Sequence, residues 1–286
     1  MKAAWLTDIH LNCLGNDGTT PQRRQMLKKM FFESVADDNP DVIFITGDVS
    51  TGTEIVNDLA LLESITRRPI YFVCGNHDFY GSSFDDVTTK LAVTSQTSDN
   101  LKYLYACPTP RKLTDTTCVV GADGWYDMLH GDWRTSEYVL NDWFRISDFY
   151  MSNVEPGEKH HGVDIKHIIN VSRKHAQECA QHVLNNVQRA VAGGYTHVVI
   201  LTHVPPFTSL HLFEGRHATK DALPYYTSKI MGDMLLGVAE KYQNVKFTCL
   251  SGHTHGKARE IIRNNLTCIV GGAEYGRPRH QIIELR

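Results

Sequence analysis

Five apolar runs in this chain each stop at Asp, Asn or His, and that repeated event constrains the fold more than any other feature. Pro69-Ile70-Tyr71-Phe72-Val73-Cys74 empties into Gly75-Asn76-His77-Asp78. Trp5-Leu6-Thr7 ends in Asp8-Ile9-His10, and residues 42–46 end in Gly47-Asp48. Residues 198–202 end in His203, and residues 245–250 run into Gly252-His253-Thr254-His255. Short apolar runs bounded by glycine read as buried strands. Strands that end this way deliver their polar residues to the carboxyl edge of a sheet. The chain is therefore organised around one polar site assembled from five distant segments.

Helical patterns lie between the strands. Met26, Leu27, Met30, Phe31 and Val35 fall near helical spacing behind Thr20-Pro21, which predicts a helix over about 20–37. Ile55, Leu59, Leu62 and Ile65 predict a second helix over 53–66. A βαβαβ opening favours an α/β sheet with right-handed crossovers. Further on, the pattern predicts helices over 84–94, 163–191 and 226–242. Short strands are expected at 101–105, 118–122, 245–250, 259–262, 268–270 and 281–285. A chain of 286 residues can hold this as one domain, 1–286. Residues 125–160 differ in character, with Trp125, Tyr126, Trp133, Tyr138, Trp143, Phe144, Phe149 and Tyr150 among many Asp and Arg. They read as an insertion or lid over the site, with the aromatics as its own small core.

Composition removes several classes of function. The net charge of −3 argues against a broad basic surface for nucleic acid. No apolar run approaches the ~20 residues of a spanning helix. The first strand carries Asp8 and His10, so a cleaved leader would remove them. The seven cysteines are odd in number and include no Cys-x-x-Cys, and four lie in apolar strands. A reducing, cytoplasmic setting is the expectation.

The polar set is Asp8, His10, Asp48, Asn76, His77, Asp78, His203, His253 and His255. Oxygen and imidazole donors without thiolates suit Mn, Fe, Zn or Co, and this many donors serve two ions. Ions ~3.5–4 Å apart share a carboxylate, and such a pair suits phosphoryl chemistry. Singly, each residue has a plain reading. The aspartates fit turns or helix caps, Asn76 a left-handed turn, and the histidines loops. Together and in this order, the motifs resemble the calcineurin-like metallophosphoesterase superfamily, from Asp8 to His255. By that resemblance Asp8, His10 and His255 bind one metal, Asn76, His203 and His253 bind the other, and Asp48 bridges both. His77 would bind phosphate or protonate the leaving oxygen, with Asp78 orienting it. Since successive side chains diverge at a strand end, His77 is expected to point away from the ions. The implied fold is a four-layer α-β-β-α sandwich of two mixed sheets flanked by helices.

The resemblance also narrows the reaction. Asp48 is followed by Val49-Ser50-Thr51-Gly52, without the phosphate-holding arginine of protein Ser/Thr phosphatases. Thr51 stands where purple acid phosphatases place a ligand tyrosine. What remains is a dinuclear hydrolase of phosphate monoesters or diesters with a small phosphate-ester substrate. The alternative is a non-catalytic scaffold of the same fold, against which the intact His77 argues. Arg134, Tyr275 and Arg277 are the candidate substrate contacts, with Arg216 beside them. His160, His161, His211, His217 and His280 are expected to be surface or loop histidines. The sequence leaves monoester against diester preference, metal identity and oligomeric state open.

Overall fold

The computed structural model describes residues 1–15, 18–150, 159–160, 162–213, 216–217 and 219–285 of the 286. β1 (Lys2–Leu6), α1 (Pro21–Asp37), β2 (Val42–Thr46), α2 (Ile55–Thr66) and β3 (Ile70–Val73) form the expected βαβαβ opening. α3 (Phe84–Thr97) leads to β4 (Leu101–Tyr103), and β5 (Arg111–Lys112) turns back on β6 (Thr117–Gly121). Two single-turn helices, α4 (Asp142–Arg145) and α5 (Ser147–Tyr150), follow, then a two-residue pair, β7 (Lys159–His160) and β8 (Val163–Asp164). The long α6 (Ile165–Ala192) comes next, then β9 (His197–Leu201), the short pair β10 (Leu212–Phe213) and β11 (Arg216–His217), and α7 (Leu223–Tyr226). α8 (Lys229–Lys241), β12 (Lys246–Ser251), β13 (Ala258–Arg263), β14 (Leu266–Val270) and β15 (His280–Glu284) complete the chain.

Local chemistry sets the helix starts. Thr20 accepts a hydrogen bond from the Arg23 amide with Pro21 at the first helical position, and Ser83 and Asp164 cap α3 and α6 in the same way. The sequence extends a helix back to residue 226, but Thr227 is extended at φ −144°, so α7 and α8 are separate. The strand expected over 101–105 stops at Tyr103, where a 3-10 turn over Leu104–Ala106 begins.

The strands form two mixed sheets. One has the order β15-β1-β2-β3-β4 and the other β13-β14-β12-β9-β6-β5. Only β15, β13 and β5 run antiparallel to their neighbours within these two sheets. The parallel strands in each sheet therefore end at one edge. Side chains alternate along each strand with period two. Ala3, Trp5, Val42, Phe44, Val73, Val119, Val199, Leu201 and Leu250 face the core between the sheets. Ala4, Leu6, Ile43, Ile45, Ile70 and Phe72 face outward against α1, α2 and α3. Cys118, Val120, Val198, Ile200, Phe247 and Cys249 face outward against α6 and α8. This is the four-layer α-β-β-α arrangement.

The aromatics of 125–150 do not form a core of their own. Trp125, Tyr126, Trp143 and Phe149 are buried in the same cluster as the β1–β3 face. Backbone bonds stitch this segment to the chain just after residue 80: Gly81 donates to the Arg145 carbonyl and Ser147 to the Ser82 carbonyl. Residues 151–158 and His161, both part of the sequence expectations, lie outside the described residues. No helix among the described residues is long and apolar enough to cross a membrane, and all seven cysteines are free.

Candidate metal centre

The carboxyl edges of the two sheets meet, and the strand-end loops hydrogen-bond to one another across the seam. The His253 amide donates to Asp8 Oδ1 at 2.8 Å. The Cys74 amide donates to Asp123 Oδ1 at 2.8 Å across the seam, and within the second sheet the carbonyl of Asp123 accepts from the His203 amide at 2.7 Å. Gly75 and Gly252 show why glycine precedes two of the motifs. A Cβ on Gly75 would lie 2.2 Å from Asp48 Oδ1, and one on Gly252 would lie 2.1 Å from Asp8 Oδ2. Only glycine lets the neighbouring carboxylates approach this closely.

The seven residues expected as ligands come together as two groups. In one, His10 Nε2 and His255 Nε2 are 3.1 Å apart, and His255 Nε2 is 3.5 Å from Asp8 Oδ1. In the other, Asn76 Oδ1 lies 3.1 Å from His203 Nε2 and 3.0 Å from His253 Nδ1. Asp48 stands between them, with Oδ2 3.7 Å from His10 Nε2 and Oδ1 3.5 Å from His203 Nε2. Neighbouring groups set the tautomers. His203 Nδ1 donates to the Thr46 carbonyl at 2.8 Å, which leaves Nε2 as the free lone pair. His253 Nε2 donates to the Tyr225 carbonyl at 3.0 Å, which leaves Nδ1 free. Both lone pairs face Asn76 Oδ1.

The electrostatics fit a cation. Burial raises Asp48 well above the ordinary carboxylate range, and the nearby Asp8 and Asp78 add to it. Burial raises Asp8 as well. Burial lowers His10, His203 and His253, and takes His255 down to about 4, so the imidazoles are neutral with lone pairs available. Crowded buried carboxylates ringed by neutral imidazoles lack positive charge, and divalent ions supply it. The backbone is committed to this arrangement. Asp8, His10, Asp48, His253 and His255 are all left-handed, with φ between 40° and 68°. Asn76, which the sequence offered as a left-handed turn residue, has φ −64°.

Two expectations about the Gly75-Asn76-His77-Asp78 motif are corrected. His77 does not point away from the cluster: nitrogen and oxygen donors of His10, Asp48 and His77 lie within 4.8 Å of one another. The divergence rule holds for extended chain, and here Asn76 is helical and His77 opens a 3-10 turn over His77–Phe79. Asp78 does not orient His77. Its oxygens accept from the amides of Ser50 and Gly75, both at 2.9 Å, so it braces the two loops instead. His77 Nδ1 is buried without a hydrogen-bond partner, while the His77 amide donates to Asp48 Oδ1 at 2.8 Å.

A cleft of about 150 Å³ opens over the cluster, walled by Tyr80, Leu140, Asn141, Tyr226 and Tyr275 beside His77. Of the three candidate substrate contacts, only Tyr275 reaches it, with its ring centroid 4.4 Å from that of His10. Arg134 is exposed, paired with Asp132 and stacked over Trp133, and Arg277 is exposed and paired with Glu274. Neither lines the cleft. His211, expected as a surface or loop histidine, is a loop residue, but it is buried and stacked on Tyr226, whose ring lies against His253. His280 pairs with Asp38, and His217 is exposed. Sequence reasoning missed Tyr80, Tyr226 and Asp142. Tyr80, two residues beyond the Gly75–Asp78 motif, was within reach of the pattern. Asp142 is one of many acids in its segment and carried no signal.

Comparisons with known proteins agree with this geometry. No curated protein sequence matches the chain. Among solved structures, phosphopantetheinyl hydrolase from Mycobacterium tuberculosis is similar at a TM-score of 0.60 and 14% identity, covering 96% of this chain and 90% of that one. A dimetal phosphatase from Danio rerio is similar at 0.54 and 16% identity, covering 95% and 87%. At these identities the likeness is one of fold. The family model for calcineurin-like phosphoesterases matches residues 1–257. That span takes in every motif from Asp8 to His255, and so the chain belongs to the calcineurin-like phosphoesterase family, which implies a dinuclear divalent metal centre.

Proposed function

We propose that this protein hydrolyses small phosphate esters at a centre of two divalent transition ions, with Mn, Fe or Zn suited to its donors. Asp8, His10 and His255 hold one ion, Asn76, His203 and His253 hold the other, and Asp48 bridges them. One observation carries the reading: the two oxygens of a single buried carboxylate, Asp48, face opposite ligand groups. Such ions, when bound, polarise a phosphoryl oxygen and lower the pKa of water toward neutrality. The remaining work falls to the side chains. His77 is held down to about 3 by burial and by His203 and His255, and nearby cations lower it further. It is therefore a neutral imidazole at the cleft wall, suited to donating an N–H to a phosphoryl oxygen rather than supplying a proton. Tyr80, Tyr226 and Tyr275 wall the space for the ester group.

The chain acts as one domain in which residues 125–150 of the 125–160 segment cover the site. Residues 139–142 already wall the cleft, which supports that role. Unpaired cysteines are consistent with a reducing cytoplasm. The deciding experiment loads chelator-treated protein with Mn²⁺, counts the ions, and assays p-nitrophenyl and bis-p-nitrophenyl phosphate. Two equivalents and Mn-dependent turnover are expected, and the ratio of rates assigns monoester or diester preference. Two bound ions with no turnover on any ester would leave a non-catalytic scaffold. Asp48→Asn should lower occupancy at both positions together.

A further inference from the structure

We propose that Asp142 is a positioning residue for the metal centre: its carboxylate holds the Asn76 amide with the nitrogen turned away and the oxygen turned toward His203 and His253. The inference rests on the dinuclear reading above and adds a residue to it from outside the family's motifs.

The geometry is a closed triangle. Asn76 Nδ2 donates to Asp142 Oδ1 at 2.8 Å and to the Tyr80 hydroxyl oxygen at 3.2 Å. The Tyr80 hydroxyl donates to the same Asp142 Oδ1 at 2.6 Å. All three side chains are buried. An amide has two ends that differ little in shape, so its direction is set by its partners. Asp142 Oδ1 accepts from both neighbours, and a tyrosine hydroxyl that has given its proton to that oxygen can only accept as well. Both acceptors therefore face the nitrogen end of Asn76. The oxygen end is left 3.1 Å from His203 Nε2 and 3.0 Å from His253 Nδ1. If the amide turned over, an N–H₂ would face the two imidazole lone pairs, and one ion position would lose its oxygen donor.

The placement of Asp142 is itself constrained. Trp143 beside it is buried, the Gly81 and Ser147 amides bridge the two segments, and a strand-like pairing joins Ser82 to Ile146. The segment that carries Asp142 is thus anchored at Gly81 and Ser82, five and six residues after Asn76, on the far side of Tyr80. Hydrogen-bond partners of metal ligands typically alter affinity by about 10–100-fold when removed.

The test is Mn²⁺ binding by calorimetry on chelator-treated full-length protein, with the unfolding temperature of the metal-free form measured alongside. Asp142→Ala is expected to weaken one of the two Mn²⁺ affinities about 10–100-fold and leave the other unchanged. Asp142→Asn, whose carbonyl still accepts, should recover most of that loss. Unchanged affinities in Asp142→Ala would overturn the proposal. So would a joint loss at both positions together with a lower unfolding temperature, which marks packing alone. A second pair guards against an Ala variant that does not fold. In Asn76→Asp two carboxylates face each other, and adding Asp142→Asn exchanges donor and acceptor. The double variant should bind Mn²⁺ at least about tenfold more tightly than Asn76→Asp alone, and equal binding would overturn the proposal. Wild-type protein that takes up no Mn²⁺ would overturn the dinuclear reading itself, and this inference with it.

Discussion

His77 separates two roles that a sequence cannot distinguish. Its position after Asn76 is legible, but its task depends on protonation, which depends on burial. A neutral donor to the phosphoryl group helps good and poor leaving groups alike, whereas a proton donor helps poor ones most. His77→Ala is expected to keep both ions and lower kcat about 10²–10³-fold, equally for p-nitrophenyl and alkyl phosphates. A loss confined to alkyl esters would restore the proton-donor role, and a lost ion would make His77 a ligand. At this scale the motif residues were readable because their types match their chemistry. Asp78 was misassigned because adjacency in sequence suggested contact, while its oxygens reach back to the Ser50 and Gly75 amides. Arg134 and Arg277 were chosen for their place in the insertion and in a loop near a motif strand, which says nothing about where a long exposed side chain settles.

Periodicity made the elements legible, and it failed where tertiary contacts end a run. α6 was readable from its apolar stripe, but the pattern gave no sign that the stripe includes a histidine. His175 is 6% exposed, stacked on Phe84 with ring centroids 4.3 Å apart and with Trp125 edge-on at 5.4 Å. Burial lowers it to about 4, against 6.5 for a free histidine. The folded state thus resists a proton that the unfolded chain accepts below 6.5. The stability held by neutral His175 is complete above pH 6.5 and is lost as pH falls toward 4. The loss reaches about 2 kcal/mol near pH 5. His175→Gln should flatten the curve of unfolding free energy against pH between 6.5 and 4 by about one proton. A variant curve parallel to wild type across that window would remove His175 from the account. The 125–150 aromatics were recognised as core-forming, yet they belong to the main core, because Asp142 is bonded to Tyr80 and Trp125 packs against Phe79 and Phe84.

The whole molecule places its most costly groups where the two sheets meet. The layer order was legible only through the family resemblance, and sheet membership was not legible at all, since pairing is a long-range property that no local pattern records. Buried carboxylates at the seam repel one another when no cation is present. Stripping the ions with a chelator is therefore expected to lower the unfolding temperature. Reloading at ~100 times the dissociation constant should restore about 2.7 kcal/mol for each ion bound, several degrees for a chain of this size. A melting curve that ignores both chelator and Mn²⁺ would mean that the seam holds without them.

The left-handed backbone at Asp8, His10, Asp48, His253 and His255 has a consequence for descent. Most side chains are strained there, and glycine is free of that strain by roughly 1 kcal/mol or more per position. A lineage that abandoned hydrolysis would feel selection for ligands disappear while the strain remained. Its sequence would drift to glycine at 8, 10, 48, 253 and 255, but not at Asn76 or His203, whose backbones are ordinary. Saturation variants of this chain, ranked for folding in excess chelator, should show the same split, and a preference for alanine at all seven positions would refute it. A retired phosphoesterase of this kind would carry a glycine fossil of its former ions.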